Sequence, residues 1–230
     1  MLMAAFMPTK LETAVITQLI RNLEAGKKQT VVAYGTSLTA GGQWVRDLEA
    51  WLEARYPGLA RVINNGQSGK ASRTALAFLE ENVLAHRPDT VFLEFAVNDA
   101  TTYEPDNLDY SILPEESVAN LNRLIDRILA DNPSTEIIVQ TMNPAWDAPN
   151  GNRSGSRRPD LSIYYEGYRH VARQRSLRLI DHHANWSHLR EMDSAKFESY
   201  VPDGVHPTAE GSTAVTFAEI QLKFLTELTE

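Results

Sequence analysis

The sequence contains no cysteine among its 230 residues. This absence excludes disulfide bonds, thiolate metal sites and a cysteine nucleophile. Positive charge is also scarce, since 22 Lys and Arg stand against 30 Asp and Glu and give a net charge of −8. A protein that binds nucleic acid broadly needs a basic face to neutralise phosphates, so we predict no nucleic-acid partner.

Long apolar runs are absent as well. No stretch approaches the roughly 18 consecutive apolar residues that a membrane-spanning helix requires, so we predict no membrane partner. The N-terminal segment "MLMAAFMPTK" is short, has no basic region before its apolar residues and continues into charged positions. These features make a poor secretory signal, and we therefore expect a soluble protein in the cytoplasm.

The sequence does contain an alternation of short apolar runs with longer amphipathic stretches. Apolar runs separated by helices are typical of βαβ units and of a parallel sheet that is buried on both faces. The predicted strands are 30–34, 60–65, 90–96, 136–141 and 177–181. We predict an α/β fold with three layers (α/β/α), a flavodoxin-like arrangement whose five-stranded parallel sheet has the order 2-1-3-4-5.

The chain has no internal repeat and no linker rich in Pro, Gly or Ser that would divide it. We therefore predict a single domain over residues 1–230, with residues 1–28 as an N-terminal helical extension packed on it. The first predicted helix covers 9–25 and is expected to pack outside the sheet. The last covers 208–228, where apolar residues recur at helical spacing.

Two long segments, 97–113 and 142–160, follow predicted strands. Segments of that length in a compact domain are usually functional or disordered. In open α/β sheets, ligands bind outside the carboxyl ends of the strands, which is where both segments emerge. We therefore expect the functional site at this edge.

Four short segments at or near this edge carry residues suited to ester hydrolysis: "GTSLT", "GQSGKAS", "AVND" and "DGVHP". Taken alone, Ser37 would be a turn residue or a helix cap. As a nucleophile it would need a base, for which His206 is the candidate, with Asp203 placed to orient the imidazole. The backbone N–H groups of Ser37 and Gly69 and the side-chain amide of Asn98 are candidate donors to an oxyanion.

In this order the four segments resemble the blocks of the SGNH hydrolases, also called GDSL-type esterases, and the resemblance runs from about residue 30 to residue 210. It implies that Ser37 is the nucleophile, His206 the base and Asp203 its orienting acid. It also implies that Gly69 and Asn98 are oxyanion donors and that no cofactor is needed.

Two positions depart from the family's usual pattern. Thr36 stands where the first block usually has Asp, and Ala96 stands where the third usually has Gly. Since Ala does not take a positive φ as easily as Gly, we expect the turn that presents Asn98 to differ in shape. Asp99 is interpreted as a structural residue that orients a loop or caps a helix.

A run of Asp181, His182 and His183, with His188 nearby, raises the question of a metal site. No carboxylate spacing completes a ligand set, so we interpret the histidines as solvated surface residues and predict no metal.

The predicted function is a serine esterase that hydrolyses short-chain carboxylic esters, above all acetyl esters, on a carbohydrate or another small molecule. Segment 142–160 supplies candidate substrate-binding residues, because an aromatic platform with polar donors suits a sugar: Trp146, Arg153, Arg157 and Arg158.

Alternatives within the family are a simple or aryl esterase, a thioesterase and a lysophospholipase. An alternative of another class is a non-catalytic α/β module that binds a carbohydrate or a nucleotide, although such a module would not need Ser37, Asp203 and His206 together. The sequence leaves the oligomeric state open.

Overall fold

Five parallel strands form one sheet in the order β2-β1-β3-β4-β5, which confirms the predicted flavodoxin-like fold. The computed structural model describes residues 17–102 and 111–225. The strands are β1 (Gln29–Gly35), β2 (Ala60–Asn64), β3 (Thr90–Glu94), β4 (Glu136–Thr141) and β5 (Arg178–Asp181). Predicted and observed bounds differ most at β3, which ends at Glu94 and not at residue 96, because a short helix begins at Ala96.

Helices connect the strands and cover the sheet. They are α1 (Gln18–Glu24), α2 (Ser37–Ala40), α3 (Gln43–Arg55), α4 (Ser72–Ala77), α5 (Leu79–Asn82), α6 (Ala96–Asp99), α7 (Pro114–Asp131), α8 (Leu161–Gln174), α9 (His182–Met192), α10 (Ser194–Tyr200), α11 (Ala209–Gly211) and α12 (Ala218–Ile220). A 3₁₀ turn follows α5 at Leu84–His86. On one side α4 and α8 pack against α7, and on the other α3 packs against the C-terminal helix described below.

The C-terminal helix runs from residue 209 to residue 225 and includes α11 and α12. Two π-helical segments, Ser212–Phe217 and Gln221–Leu225, interrupt its α-helical geometry. Thr208 caps its start by accepting the N–H of Gly211. The predicted apolar face is buried at Phe217, Ile220 and Phe224, and the rest of the predicted range, 226–228, lies outside the described residues.

The first helix is shorter than predicted within the described residues. It spans Gln18–Glu24, and residues 9–16 of the predicted range lie outside the described residues. Helix α1 lies outside the sheet, as expected, but Leu19, Ile20 and Leu23 are buried in the main core. Because residues 1–16 and 226–230 lie outside the described residues, the single domain over 1–230 stays a prediction.

The segment 97–113, which we expected to be a loop, begins as helix, since its first residues lie in α6. Residues 103–110 lie outside the described residues. Within 17–102 and 111–225, no helix has both the length and the apolar character needed to cross a membrane.

Candidate active site

Ser37 lies where β1 ends and α2 begins. Strand β1 is buried along most of its length, and it stops at Gly35. Thr36 then caps α2, since its side chain accepts the N–H of Leu38, and Ser37 is the first residue of that helix. The chain thus presents a half-buried hydroxyl at the carboxyl edge of the sheet, as the sequence predicted.

His206 and Asp203 lie against Ser37 although they are far away in the sequence. The Ser37 Oγ is 2.8 Å from the His206 Nε2, and the His206 Nδ1 is 2.6 Å from the Asp203 Oδ2. Both side chains remain about half exposed, at 48% for His206 and 46% for Asp203. The structure therefore brings the three predicted catalytic side chains into one hydrogen-bonded chain.

Asp203 also accepts hydrogen bonds from the backbone. Its Oδ1 accepts the N–H of His206 at 2.7 Å and that of Val205 at 2.9 Å. Partial burial raises the pKa of Asp203, but the backbone hydrogen bonds and the bond from the His206 side chain outweigh it and hold the pKa below its ordinary value. Asp203 is thus kept ionised, which suits an acid that orients an imidazole and stabilises its protonated form.

The predicted oxyanion donors lie beside Ser37. Gly69 has a φ of +71°, a conformation that glycine adopts without strain, and it lines a cavity together with Ser37 and Asn98. Among the described residues, the N–H groups of Ser37 and Gly69 have no acceptor. The Asn98 side-chain amide donates to the carbonyl of Lys70 at 2.9 Å, and its NH₂ group has a second hydrogen to donate.

The two positions that depart from the family pattern are Thr36, which caps α2, and Ala96, which is the first residue of α6 and has no positive φ. The expected difference in the turn that presents Asn98 stays a prediction. Asp99 has the structural role we predicted: it accepts the N–H of Ser72 at 2.8 Å, at the start of α4, and the hydroxyl of Ser117. Burial raises the pKa of Asp99 to about 6 against the opposing effect of these hydrogen bonds.

Two cavities meet at Ser37 and His206. One, of about 290 Å³, has a mainly apolar wall that includes Leu38, Trp44 and Met142. The other, of about 370 Å³, contains Gly69 and Asn98 and is otherwise lined by Ser68, Val97, Asn152, Ser154, Arg157, Arg158 and Val205. Ser37 and His206 thus border both an apolar chamber and a polar chamber.

The four candidate substrate-binding residues of segment 142–160 separate into two groups. Arg157 and Arg158 line the polar chamber. The Arg158 Nε also donates to the carbonyl of Val97 at 2.7 Å, which ties the segment to α6. Arg153 is exposed and does not line either chamber.

Trp146 lies apart from the two chambers. Its indole packs against Phe197, in a small apolar cluster with Trp186, and its Nε1 donates to the carbonyl of Val201 at 2.7 Å. Trp146 lines neither of the two chambers. The ring packs against the loop that carries Asp203 and His206, and its role as an aromatic platform for a sugar stays a prediction.

Segment 142–160 supports the loop that carries Asp203 and His206. The Asn143 side chain donates to the carbonyl of Val205 at 2.9 Å, and the Trp146 N–H donates to the carbonyl of Gly204 at 2.9 Å. The long segment thus provides both part of the polar chamber and a backing for the His206 loop.

The interpretation of the histidines after β5 is partly wrong. His188 is exposed, but His182 is buried and its Nδ1 lies 2.9 Å from the Glu219 Oε2. His183 is partly buried, and its ring packs against that of Tyr165 at a tilted angle. In the part of the chain that the structure describes, no group of three or more His, Asp or Glu side chains is arranged to hold a metal ion.

Sequence reasoning missed Glu94, the last residue of β3. Its buried carboxylate accepts hydrogen bonds from Thr36 and Thr39, on either side of Ser37. The available signal was a single acid at the end of an otherwise apolar strand, which is rare unless the acid has partners.

Comparison with known proteins gives one family and several relatives. A model of the GDSL-like lipase/acylhydrolase family matches residues 33–214. A GDSL esterase/lipase of Arabidopsis thaliana is 25% identical over 197 residues, which are 80% of this chain and 61% of that protein, so this chain spans about three fifths of the plant relative. An acetylxylan esterase of Geobacillus stearothermophilus is 27% identical over 174 residues, 74% of this chain and 76% of that protein. The crystal structure of Axe2, an acetylxylan esterase from Geobacillus stearothermophilus, shares the fold, with a TM-score of 0.69 and 22% identity over 89% of this chain and 97% of that one.

Proposed function

The chain belongs to the GDSL-like lipase/acylhydrolase family, and on that premise we propose that it is a carboxylic ester hydrolase, which removes acetyl groups from a carbohydrate through an acyl-Ser37 intermediate. The observation that carries the proposal is the hydrogen-bonded chain from the Ser37 Oγ through His206 to Asp203.

The proposed reaction has two stages. His206 takes the proton of the Ser37 hydroxyl as the oxygen attacks the ester carbonyl, and it then protonates the departing alcohol. Water next attacks the acyl-Ser37 ester, with His206 again taking the proton, and the carboxylic acid leaves as Ser37 regains its hydrogen. Asp203 holds the imidazole in the required tautomer throughout.

The negative charge that develops on the carbonyl oxygen needs donors in fixed positions. In our proposal these are the N–H groups of Ser37 and Gly69 and the amide of Asn98. The loss of one such donor typically costs about 2.7–4 kcal/mol of activation free energy, so the set would supply a large part of the rate acceleration.

The carbohydrate part of the proposal is supported by the polar chamber. Its Asn and Ser side chains and two arginines suit the hydroxyl groups of a sugar. The relatives from Geobacillus stearothermophilus described as acetylxylan esterases support the same substrate class.

A second candidate is an esterase for acyl groups longer than acetyl. The observation in its favour is the apolar chamber of about 290 Å³, which is larger than an acetyl group requires. We rank this candidate second because Gly69 and Asn98, the candidate oxyanion donors, line the polar chamber. The other polar side chains of that chamber suit a sugar.

Hydrolysis of p-nitrophenyl acetate by the wild type and by Ser37→Ala tests the esterase. We expect turnover in the wild type and a loss of at least about 10⁴-fold in the variant. Ser199→Ala, which removes an exposed hydroxyl on α10, is the matched control and should leave turnover unchanged. Equal rates for the wild type and Ser37→Ala would refute the proposal.

The substrate is tested with two series. Among p-nitrophenyl esters we expect acetyl to be hydrolysed faster than butyryl and octanoyl, and an octanoyl preference would favour the second candidate. Among acetylated oligosaccharides, Arg157→Ala should raise KM, whereas Arg153→Ala, the exposed control in the same segment, should not. Equal KM values for both variants and the wild type would count against binding of the sugar in the polar chamber.

A further inference from the structure

A buried carboxylate lies directly beneath the Ser37 turn. Glu94 is the last residue of β3, and only 2% of it is exposed. Strand register pairs it with Gly35, two residues before Ser37. Burial of an ionisable group is unfavourable unless hydrogen bonds compensate for the lost water, so the partners of Glu94 indicate why it is there.

Those partners flank the nucleophile. The Glu94 Oε1 accepts the N–H of Thr36 at 2.6 Å and the hydroxyl of Thr39 at 2.6 Å. The hydroxyl of Thr36 lies 3.0 Å from Oε1 and 3.1 Å from Oε2. A Cβ at residue 35 would overlap with the Glu94 carboxylate, so Gly35 is what lets the carboxylate come this close to the turn.

We propose that Glu94 is a positioning residue, which fixes the direction of the Ser37 hydroxyl and N–H by holding the residues before and after it. Helix α2 has only four residues, and short helices are marginal without outside support. The hydrogen bonds to Glu94 supply that support from the rigid centre of the sheet. The inference rests on the proposed function, because it assigns the fixed turn to the reaction of Ser37.

The protonation state of Glu94 determines how well its carboxyl group can hold the residues on either side of Ser37. An ionised carboxylate only accepts hydrogen bonds, whereas a protonated one must itself donate through one oxygen. Burial raises the pKa of Glu94 to about 7, while the bonds from Thr39 and Thr36 lower it. The titratable groups that face it are Asp99 on α6 and Tyr165 and Tyr168 on α8. We therefore expect the turn to be held best above about pH 7.

The test uses Glu94→Gln, Thr39→Val and the control Thr90→Val, with kcat and KM for p-nitrophenyl acetate measured across pH. Glu94→Gln should lower kcat by about 10- to 100-fold with KM nearly unchanged, because a small misplacement of reacting groups has effects of this size. Its pH profile should also lose the ionisation near pH 7.

Thr39→Val keeps the carboxyl group and removes one bond that lowers its pKa, so the acid limb of kcat should move to higher pH. Thr90→Val alters a buried hydroxyl at the other end of β3 that has no hydrogen-bond partner among the described residues, and it should leave kcat and its pH profile unchanged. A merely structural role would lower the thermal stability of the variants without moving this limb.

The inference is overturned if folded Glu94→Gln has the kcat and pH profile of the wild type, or if Thr39→Val leaves the acid limb in place. These outcomes are distinct from failure of the proposed function, which would show as wild-type turnover equal to that of Ser37→Ala. In that event, the positioning role of Glu94 is tested by the rate at which a fluorophosphonate labels Ser37. Slower labelling in Glu94→Gln than in the wild type supports the inference, and equal labelling rates overturn it.

Discussion

The two sides of the site are held in different ways. Ser37 stands on a buried turn whose neighbours bond to the carboxylate of Glu94 inside the protein. His206 and Asp203 stand on a half-exposed loop that is fixed by backbone hydrogen bonds and by the segment 142–160. The difference suits the proposed roles, because a nucleophile and oxyanion donors need fixed directions, whereas a base that exchanges protons needs access to water.

Apart from the loss of Ser37 itself, the largest effect on activity is expected on the exposed side. Asp203→Asn should lower kcat for p-nitrophenyl acetate by about 10³- to 10⁴-fold, since an amide at this position no longer enforces the tautomer that His206 needs. Circular dichroism should show an intact fold. A loss of less than about tenfold would mean that Asp203 does not orient His206 as a catalytic base.

The buried side should dominate the dependence of stability on pH. Because burial raises the pKa of Glu94 from 4.5 to about 7, the folded protein holds this proton more tightly than the unfolded chain does. The resulting stabilisation is fully present below pH 4.5 and is lost as the pH rises through about 7. It corresponds to roughly 3 kcal/mol.

Urea denaturation of the wild type and of Glu94→Gln at about pH 5 and about pH 8 measures the contribution of Glu94 protonation to the free energy of unfolding. The wild type should lose more stability than the variant between the two values. Asp203 acts in the opposite direction, because its lowered pKa gives a stabilisation that is lost only as the pH falls below 3.8. If the free energy of unfolding had the same pH dependence in the wild type and in Glu94→Gln, the buried carboxylate would not dominate that dependence, and the contrast between the two sides would fail.

Support of the exposed loop is tested by Asn143→Ala. The change leaves the Val205 carbonyl without its buried donor, which should lower the free energy of unfolding by about 1–3 kcal/mol. We expect kcat to fall by about tenfold, because His206 is the next residue after Val205 and a shift of the Val205 backbone would displace its imidazole. Asn185→Ala, at an exposed position on α9, is the control. Destabilisation without any change in kcat would show that the loop keeps His206 in place without Asn143.

The smallest effect is expected for Trp146→Phe. Loss of the indole bond to the Val201 carbonyl should lower stability by about 1 kcal/mol. KM for acetylated oligosaccharides should stay as in the wild type, because the ring lies outside both chambers. A clear rise in KM would restore Trp146 as a substrate contact.

Much of the fold could be predicted because its signals are local. Apolar runs flanked by helical periodicity predicted the five strands. The rule for parallel crossovers left few topologies, of which the flavodoxin-like order was favoured and is confirmed. Strand β3 was extended two residues too far because residues 95 and 96 are as apolar and as buried as the strand itself. Hydrophobic pattern does not separate a buried strand from a buried helical turn.

Side chains whose roles depend on distant partners were harder to predict. His182 was assigned to the surface, but it is buried, and its Nδ1 lies within hydrogen-bond distance of the Glu219 carboxylate, 37 residues later in the chain. Trp146 was predicted to bind the substrate, and its contacts with the cluster formed by α9 and α10 could not be predicted from the sequence. Glu94 is 58 residues from Thr36, and only the pairing of β1 with β3 brings them together. The candidate catalytic residues were easier to propose because their order and types match a family pattern.

The central claim is that Ser37 carries the acyl group during turnover. The Asp203→Asn variant is mixed with p-nitrophenyl acetate and quenched in acid, and mass spectrometry should show one acetyl group on the peptide that contains Ser37. Acetylation is slowed less than the attack of water when His206 is badly oriented, because p-nitrophenolate leaves without a proton from His206. The Ser37→Ala protein should carry none. Turnover with no acetyl group on this peptide, or acetylation that persists in Ser37→Ala, would contradict the account.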